Sequence, residues 1–464
     1  MKLRKVLLMA LITTLWMGVI QLGWSSQPAD PTSKIAPRVL SETANGGSTE
    51  ALVVLAKQAD LSPAYNLFTK SEKGRFVVNA LRSVANSTQG PILNLLRKSG
   101  VPYQSFFIVN MIKVTGDRSL METLAARSDV ARIDANPYVR TALPSPTGQD
   151  SGIGPLTVEW NVEQVKAPEV WALGYRGEGL VVAGADTGVQ WDHPALKNQY
   201  RGWNGQQADH AFTLSEMVGD DGQGNQIGVA PGAQWIACRN MDPDGTGSPA
   251  RYTECFQFMI APWPINQPQN GDPTKAPDSV NNSWICPPSE GCSYDTLQSI
   301  VDAVRAAGIF LVAAAGNDGP ACSTIEYPPA IYASSVTVGA TDSSNNIASF
   351  SSRGPVTIDG SNRTKPDLSA PGVDIRGAVP GNGYESGWDG TSMAAPHVTG
   401  GVALLWQAKP SLDGNVSATE ATMEHAAQHL TDPVASGNCR GPMVFQDNTF
   451  GWGLLNLLQA VQSQ

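Results

Sequence analysis

Gly390-Thr391-Ser392-Met393-Ala394-Ala395-Pro396-His397-Val398 is the stretch on which the reading of this chain turns. A glycine and a threonine lead into a serine, and small residues run on to about Trp406, which predicts a helix beginning at Ser392. A serine at a helix N-terminus meets unpaired backbone N–H groups and the positive end of the helix dipole. That suits a nucleophile beside a developing oxyanion. It also suits a plain capping serine, so the stretch needs partners elsewhere before it means chemistry. An α/β-hydrolase elbow is excluded, because it needs glycine two residues after the serine, where Ala394 stands.

Working outward, short apolar runs recur at Leu180 to Ala183, Trp235 to Cys238, Ile309 to Ala314 and Ser335 to Val338. Strands that are apolar on both faces are typical of parallel sheets. Leu297, Ile300, Val301 and Val304 mark one face of an intervening helix. Strands alternating with helices predict an α/β domain, a parallel sheet with helices on both faces. Functional residues in such sheets lie past the C-terminal strand ends. Asp186 stands in such a place, in Ala185-Asp186-Thr187-Gly188-Val189. A carboxylate there can orient a histidine and stabilise its charged form. Asp-Thr-Gly also serves aspartic peptidases, but those need two carboxylates sharing a proton. The only similar triplet, Asp150-Ser151-Gly152, has no strand before it. In Val312-Ala313-Ala314-Ala315-Gly316-Asn317-Asp318-Gly319 a strand enters a glycine turn that presents Asn317, as an amide donor or as an ordinary turn residue.

The Ser392 stretch closely resembles the nucleophile motif of the subtilisin-like serine peptidases, the subtilases. The Asp186 and Asn317 segments are similar to two further motifs of that family, in the same order, and the resemblance spans about residues 160–456. It implies a subtilisin-like fold with Ser392 as nucleophile, Asp186 as triad carboxylate and Asn317 as oxyanion donor. Asn281-Asn282-Ser283-Trp284-Ile285 looks like the family segment whose backbone pairs with extended substrate. Ser283, Trp284 and Ile285 are therefore the expected substrate contacts. Relatives usually have glycine where Ile285 stands, and a β-branched side chain there narrows the cleft. The family's middle motif, His-Gly-Thr-His opening a helix, is absent. Of the five histidines, His193 and His397 resemble structural family positions, and His425 and His429 share a face of an expected late helix. His210 remains as the candidate base, ahead of Gly228-Val229-Ala230-Pro231-Gly232, another family landmark. Ala211 and Thr213 stand where the family has glycine and a second histidine. The competing explanation is a segment missing between Asp209 and Met217 that carried the true histidine.

The 464 residues suffice for two or three domains and a large core. Net charge is −10, from 31 basic and 41 acidic side chains without basic clusters, which argues against nucleic acid as a partner. Lys2, Arg4 and Lys5 precede an apolar run from Val6 to Trp24, a secretory signal peptide over 1–25 or an uncleaved N-terminal anchor. Residues 26–48 read as a linker. Residues 49–140 predict a small α+β domain: a strand from Ala51, helix from Gly74 to Ser99 broken near Gly90-Pro91, a strand or hairpin from Ser105, an amphipathic helix from Arg118 and a closing strand from Val130. Its ending, Ala131-Arg132-Ile133-Asp134-Ala135-Asn136-Pro137, is similar to the end of subtilase propeptides, which implies a domain that assists folding and inhibits until cleaved. A processing linker, 141–156, then leads to the peptidase domain, 157–464. The six cysteines suit an oxidising compartment and allow fifteen full pairings, with Cys286 and Cys292 flanking a short loop. No metal site is assigned and the chemistry needs no cofactor. Structural calcium is left unassigned, since Ala195 stands where relatives often carry an acidic calcium ligand. The expected protein is a secreted, monomeric endopeptidase acting on proteins and peptides through an acyl-enzyme on Ser392, with its propeptide as intramolecular inhibitor. A catalytically impaired fold that still binds extended peptides is the alternative.

Overall fold

The computed structural model describes residues 30–140, 143, 145–146, 157–203, 215–264, 267–430, 439 and 446–463. The expected signal peptide, most of the processing linker and His210 lie outside the described residues.

The N-terminal unit runs β1 (Ser48–Leu55), α1 (Lys70–Thr88), α2 (Gly90–Lys98), β2 (Tyr103–Phe106), β3 (Met111–Asp117), α3 (Arg118–Ala125), β4 (Val130–Ala135) and β5 (Val139–Arg140). Strands β2-β3-β1-β4 form an antiparallel sheet. Thr69 and Glu72 form a capping box that starts α1, and the Gly90-Pro91 break starts α2. Alternation along β1 sends Ala51, Val53 and Leu55 to one face, against Ile92 and Leu96 of α2 and Met121 and Leu124 of α3. Leu52 and Val54 face the other way and join the core of the following domain. Residues 30–48 differ from the expected linker. Pro37–Glu42 is a short helix, and Ile35 and Val39 are buried in the same cluster as Val53. Two apolar anchors override the loop-like composition around them.

The larger domain carries β6 (Val181–Asp186), β7 (Gln234–Arg239), β8 (Thr246–Gly247), β9 (Ser279–Asn282), β10 (Phe310–Ala314), β11 (Val336–Thr341), β12 (Leu368–Pro371) and the hairpin β13 (Ile375–Val379) and β14 (Gly383–Trp388). Its helices include α4 (Ser215–Val218), α5 (Pro249–Ile260), α6 (Gln298–Ala306), α7 (Thr391–Ala408), α8 (Val416–Ala426) and α9 (Leu457–Gln462). Six strands pair in the order β12-β11-β10-β9-β6-β7, parallel throughout. Leu311 and Ala313 face α5 and α6 on one side, while Phe310, Val312 and Ala314 face α7 on the other. Strands buried on both faces explain the unbroken apolar runs. The expected α/β sheet with helices on both faces is borne out.

The order of strands decides where a site can form. From β6 the chain steps to β7 on one side, then returns to β9 on the other side of β6. The C-terminal ends of β6 and β9 therefore adjoin at a switch point, with Ala185 registered against Asn282. The next residues are Asp186 and Ser283. Three disulfides, Cys238–Cys255, Cys286–Cys292 and Cys322–Cys439, resolve the pairing left open by sequence.

Candidate active site

Ser392 lies in the first turn of α7, a helix that also contains Pro396. Proline has no N–H to give the carbonyl four residues back, which here belongs to Ser392. That carbonyl accepts from Ser283 Oγ at 2.8 Å instead. In return Ser392 Oγ donates to the Ser283 carbonyl at 3.1 Å. Asn281 Nδ2 donates to Ser283 Oγ at 2.9 Å and extends the network down into β9. Pro396 thus frees one acceptor that ties the serine to the expected substrate edge.

Asn317 follows Gly316, whose φ of +101° suits glycine. Asn317 Oδ1 accepts from the Thr391 N–H at 3.0 Å and from Thr391 Oγ1 at 2.9 Å. With its oxygen turned to the N-terminus of α7, the amide Nδ2 remains as a donor beside Ser392. Asp186 ends β6, and its Oδ1 accepts from the Thr187 N–H at 2.6 Å. Burial pushes its carboxyl above the ordinary aspartate range, and the hydrogen bonds from Thr187 pull the other way. Asp186, Ser283, Trp284, Ile285, Asn317 and Ser392 all line one cleft of about 500 Å³. Trp284 is fixed there by stacking on Tyr252, with ring centroids 4.2 Å apart.

His210 lies outside the described residues, and none of the four described histidines is bonded to Asp186 or Ser392. His193 Nε2 meets the Gly383 carbonyl at 2.9 Å, and its Nδ1 accepts from the Ala195 N–H. His397 is buried between the Met393 carbonyl and Asn161 Nδ2, each at 2.8 Å. Burial pulls its pKa down to about 4, so it is a neutral packing residue. The expected helical pair of His425 and His429 needs correction. Helix α8 ends at Ala426, because the next segment turns extended and Gln428 bridges to Leu454.

Three carboxylates, Asp367, Glu420 and Glu424, come close enough to hold a cation. Lys365 already pairs with Asp367, and Arg305 with Glu420 at 2.5 Å. Burial and the neighbouring carboxylates push Glu424 up to about 8. The cluster is balanced by its own side chains.

Sequence reading missed several parts of the cleft. Glu216, Asp318, Met241 and the β13–β14 hairpin residues Gly377 to Pro380 line it. It also missed that β5 pairs antiparallel with β8, Arg140 opposite Thr246 and Val139 opposite Gly247, and that Leu143 lines the cleft. Asp242-Pro243-Asp244-Gly245 reads as a turn, which hides the two-residue edge that follows it.

A parallel α/β sheet with a serine in the first turn of a helix, a strand-end carboxylate and a turn amide at one switch point is the architecture of a serine hydrolase. Residues 177–453, more than half of the chain, match the Subtilase family. The chain is 36% identical over 458 residues to Bacillopeptidase F of Bacillus subtilis (strain 168), covering 90% of this chain and 30% of that protein. It is 30% identical over 330 residues to Subtilisin E of the same organism, covering 68% of this chain and 75% of the relative. Subtilisin Savinase of Lederbergia lenta is 33% identical over 266 residues, 55% of this chain and 86% of the relative. The chain belongs to the subtilase family of serine peptidases. It spans less than a third of the length of Bacillopeptidase F.

Proposed function

We propose that the chain is an exported serine endopeptidase that cleaves peptide bonds through an acyl-enzyme on Ser392. The observation that carries this reading is the convergence of Ser392, the Ser283 edge and the free amide of Asn317 in one cleft. Ser392 attacks the peptide carbonyl as a base takes its proton. The oxyanion is held by Asn317 Nδ2 and the Ser392 N–H. Water then releases the acyl group by the reverse route. Asp186 orients the base, and His210 is the candidate for it.

The N-terminal unit acts as the inhibitor. Lys70 pairs with Asp278, Gln257 Oε1 accepts from the Phe107 and Ile108 N–H groups, and the β5 tail adds a strand at β8. Such strand addition is how an extended peptide is held. The disulfides and the N-terminal apolar run support export. Among the described residues no helix is long and apolar enough to cross a membrane. The protein acts as a monomer on proteins and peptides.

A second reading, a peptide-binding fold without turnover, is favoured by one observation: no described histidine reaches Ser392. A fluorophosphonate probe separates the two. Labelling of the full chain that disappears in Ser392→Ala supports the enzyme. No labelling, with an uncut 141–156 linker, overturns it. Labelling that survives His210→Ala removes His210 as the base.

A further inference from the structure

The N-terminal unit touches the larger domain at both ends of the parallel sheet. At the C-terminal strand ends, the β5 tail pairs with β8 and Leu143 lines the cleft. At the other end, Asp278 stands just before β9, and Gly414 lies in the turn between α7 and α8. Helix α1 begins against these two residues. Lys70 Nζ pairs with the Asp278 carboxylate and donates to the Ala276 carbonyl at 2.9 Å. Further along the first turn, Lys73 is 9% exposed, and its Nζ donates to the Gly414 carbonyl at 2.7 Å. Strand β6 is six residues long, so roughly 20 Å of sheet lies between the two contacts.

The fit at the far end is close. Gly414 has a φ of +71°, and a Cβ there would lie 2.7 Å from Lys70 Cβ, so only glycine lets the helix settle. Asp278 is held by the sheet itself. Its Oδ2 accepts from the Val181 N–H at 2.7 Å, its own N–H donates to the Val181 carbonyl, and its carbonyl accepts from the Phe310 N–H. The charge is therefore fixed in place by strand starts, not by the lysine. Burial and the Asp278 carboxylate push Asp413 above the ordinary aspartate range, and Lys70 and Lys73 pull it back. Two carboxylates and two backbone carbonyls here meet two ammonium groups, which only donate.

The two contacts differ in what can displace them. The tail at β8 occupies a peptide-binding edge, so a peptide competes for it. Nothing that enters the cleft competes for Asp278 or Gly414. We propose that Lys70 and Lys73 form a second anchor, which keeps the N-terminal unit on the peptidase domain after the linker is cut and the tail has left the cleft. This rests on the inhibitor reading and names what sets the lifetime of the inhibited state. A cut linker does not by itself give an open cleft. While the anchor holds, the tail stays tethered beside β8 at high local concentration and re-enters.

The test uses the full chain carrying Ser392→Ala, with a site for an added sequence-specific protease inserted in the 141–156 linker. After the cut and dilution, size-exclusion chromatography of timed aliquots reads how fast the two fragments part. Lys70→Met/Lys73→Met keeps the stems and removes the charges. Its fragments part about 100-fold faster, from two charge-assisted hydrogen bonds at about tenfold each. An unchanged rate overturns the anchor. A pulse of acetic anhydride checks the contact in the uncut chain without the lysine substitutions. Lys70 and Lys73 acetylate about tenfold more slowly than the exposed Lys57 and Lys98, and equal reactivity overturns the anchor as well. Inhibition is judged separately, on the chain with Ser392 intact. A fluorophosphonate that labels Ser392 no faster once the unit has left removes the inhibitor reading, while the parting rates still decide the anchor.

Discussion

The two walls of the cleft are built on different terms. On one wall Ser392, Ser283, Thr391 and Asn317 hold one another through backbone and side-chain hydrogen bonds between 2.8 and 3.1 Å. On the other, Asp186 is a half-buried carboxylate whose partner is Thr187, and no described cation is bonded to it. The difference teaches which parts of a catalytic site the fold supplies unaided. The serine wall is made by the ends of β9 and β10 and the start of α7, so it stands whenever the sheet and helix are packed. The aspartate wall needs a third element to give its charge a purpose.

The largest effect tests the first wall directly. Asn317→Ala lowers kcat on a cleavable peptide about 100- to 1000-fold, the range established for such a donor in a subtilisin. A loss below tenfold would place the oxyanion elsewhere and break the comparison. Thr391→Val sharpens it at smaller scale. The variant keeps the N–H bond to Asn317 Oδ1 and loses the Oγ1 bond, a change of about 1 kcal/mol or fivefold to tenfold in kcat. KM stays near its starting value, because Thr391 orients a donor that acts in the transition state. A rise in KM with kcat unchanged would make Thr391 a substrate contact instead.

What the sequence allowed to be read divides along the same line. The parallel sheet was legible because its strands are buried on both faces and read as unbroken apolar runs. Ser392, Asp186 and Asn317 were picked out by their resemblance to subtilase motifs, since a helix-start serine, a strand-end aspartate and a turn asparagine are each ambiguous alone, and the structure brings all three to one cleft. The network around them was not legible. The bond between Ser283 Oγ and the Ser392 carbonyl depends on Pro396, and a proline in a helical stretch does not say which acceptor takes up the released carbonyl. The β5–β8 pair was hidden because it joins segments far apart in the chain, each only two residues long. The anchoring of residues 35–42 was hidden because Ile35 and Val39 stand alone in a stretch composed like a loop. The late helix was drawn too long, since periodicity at His425 and His429 carries no sign of the bridge from Gln428 to Leu454 that ends it.

The smallest expected effect tests the aspartate wall without relying on turnover. Burial raises the folded-state carboxyl of Asp186 above its unfolded value. The folded protein then keeps a proton over a pH range in which the unfolded chain has lost it. The associated stability is complete below the unfolded value and falls as pH rises through the folded one. Asparagine has no proton to lose and fills nearly the same volume. Asp186→Asn is therefore expected to raise Tm at pH 8, with the gain shrinking as the pH is lowered toward 4. A protonated histidine held against Asp186 reverses the sign, because the carboxylate is then a paired charge whose removal strands its partner. A melting series of the two proteins from pH 4 to pH 8 reads that sign. A fall in Tm at pH 7 would show that the two walls are joined by a base after all, whatever residue supplies it.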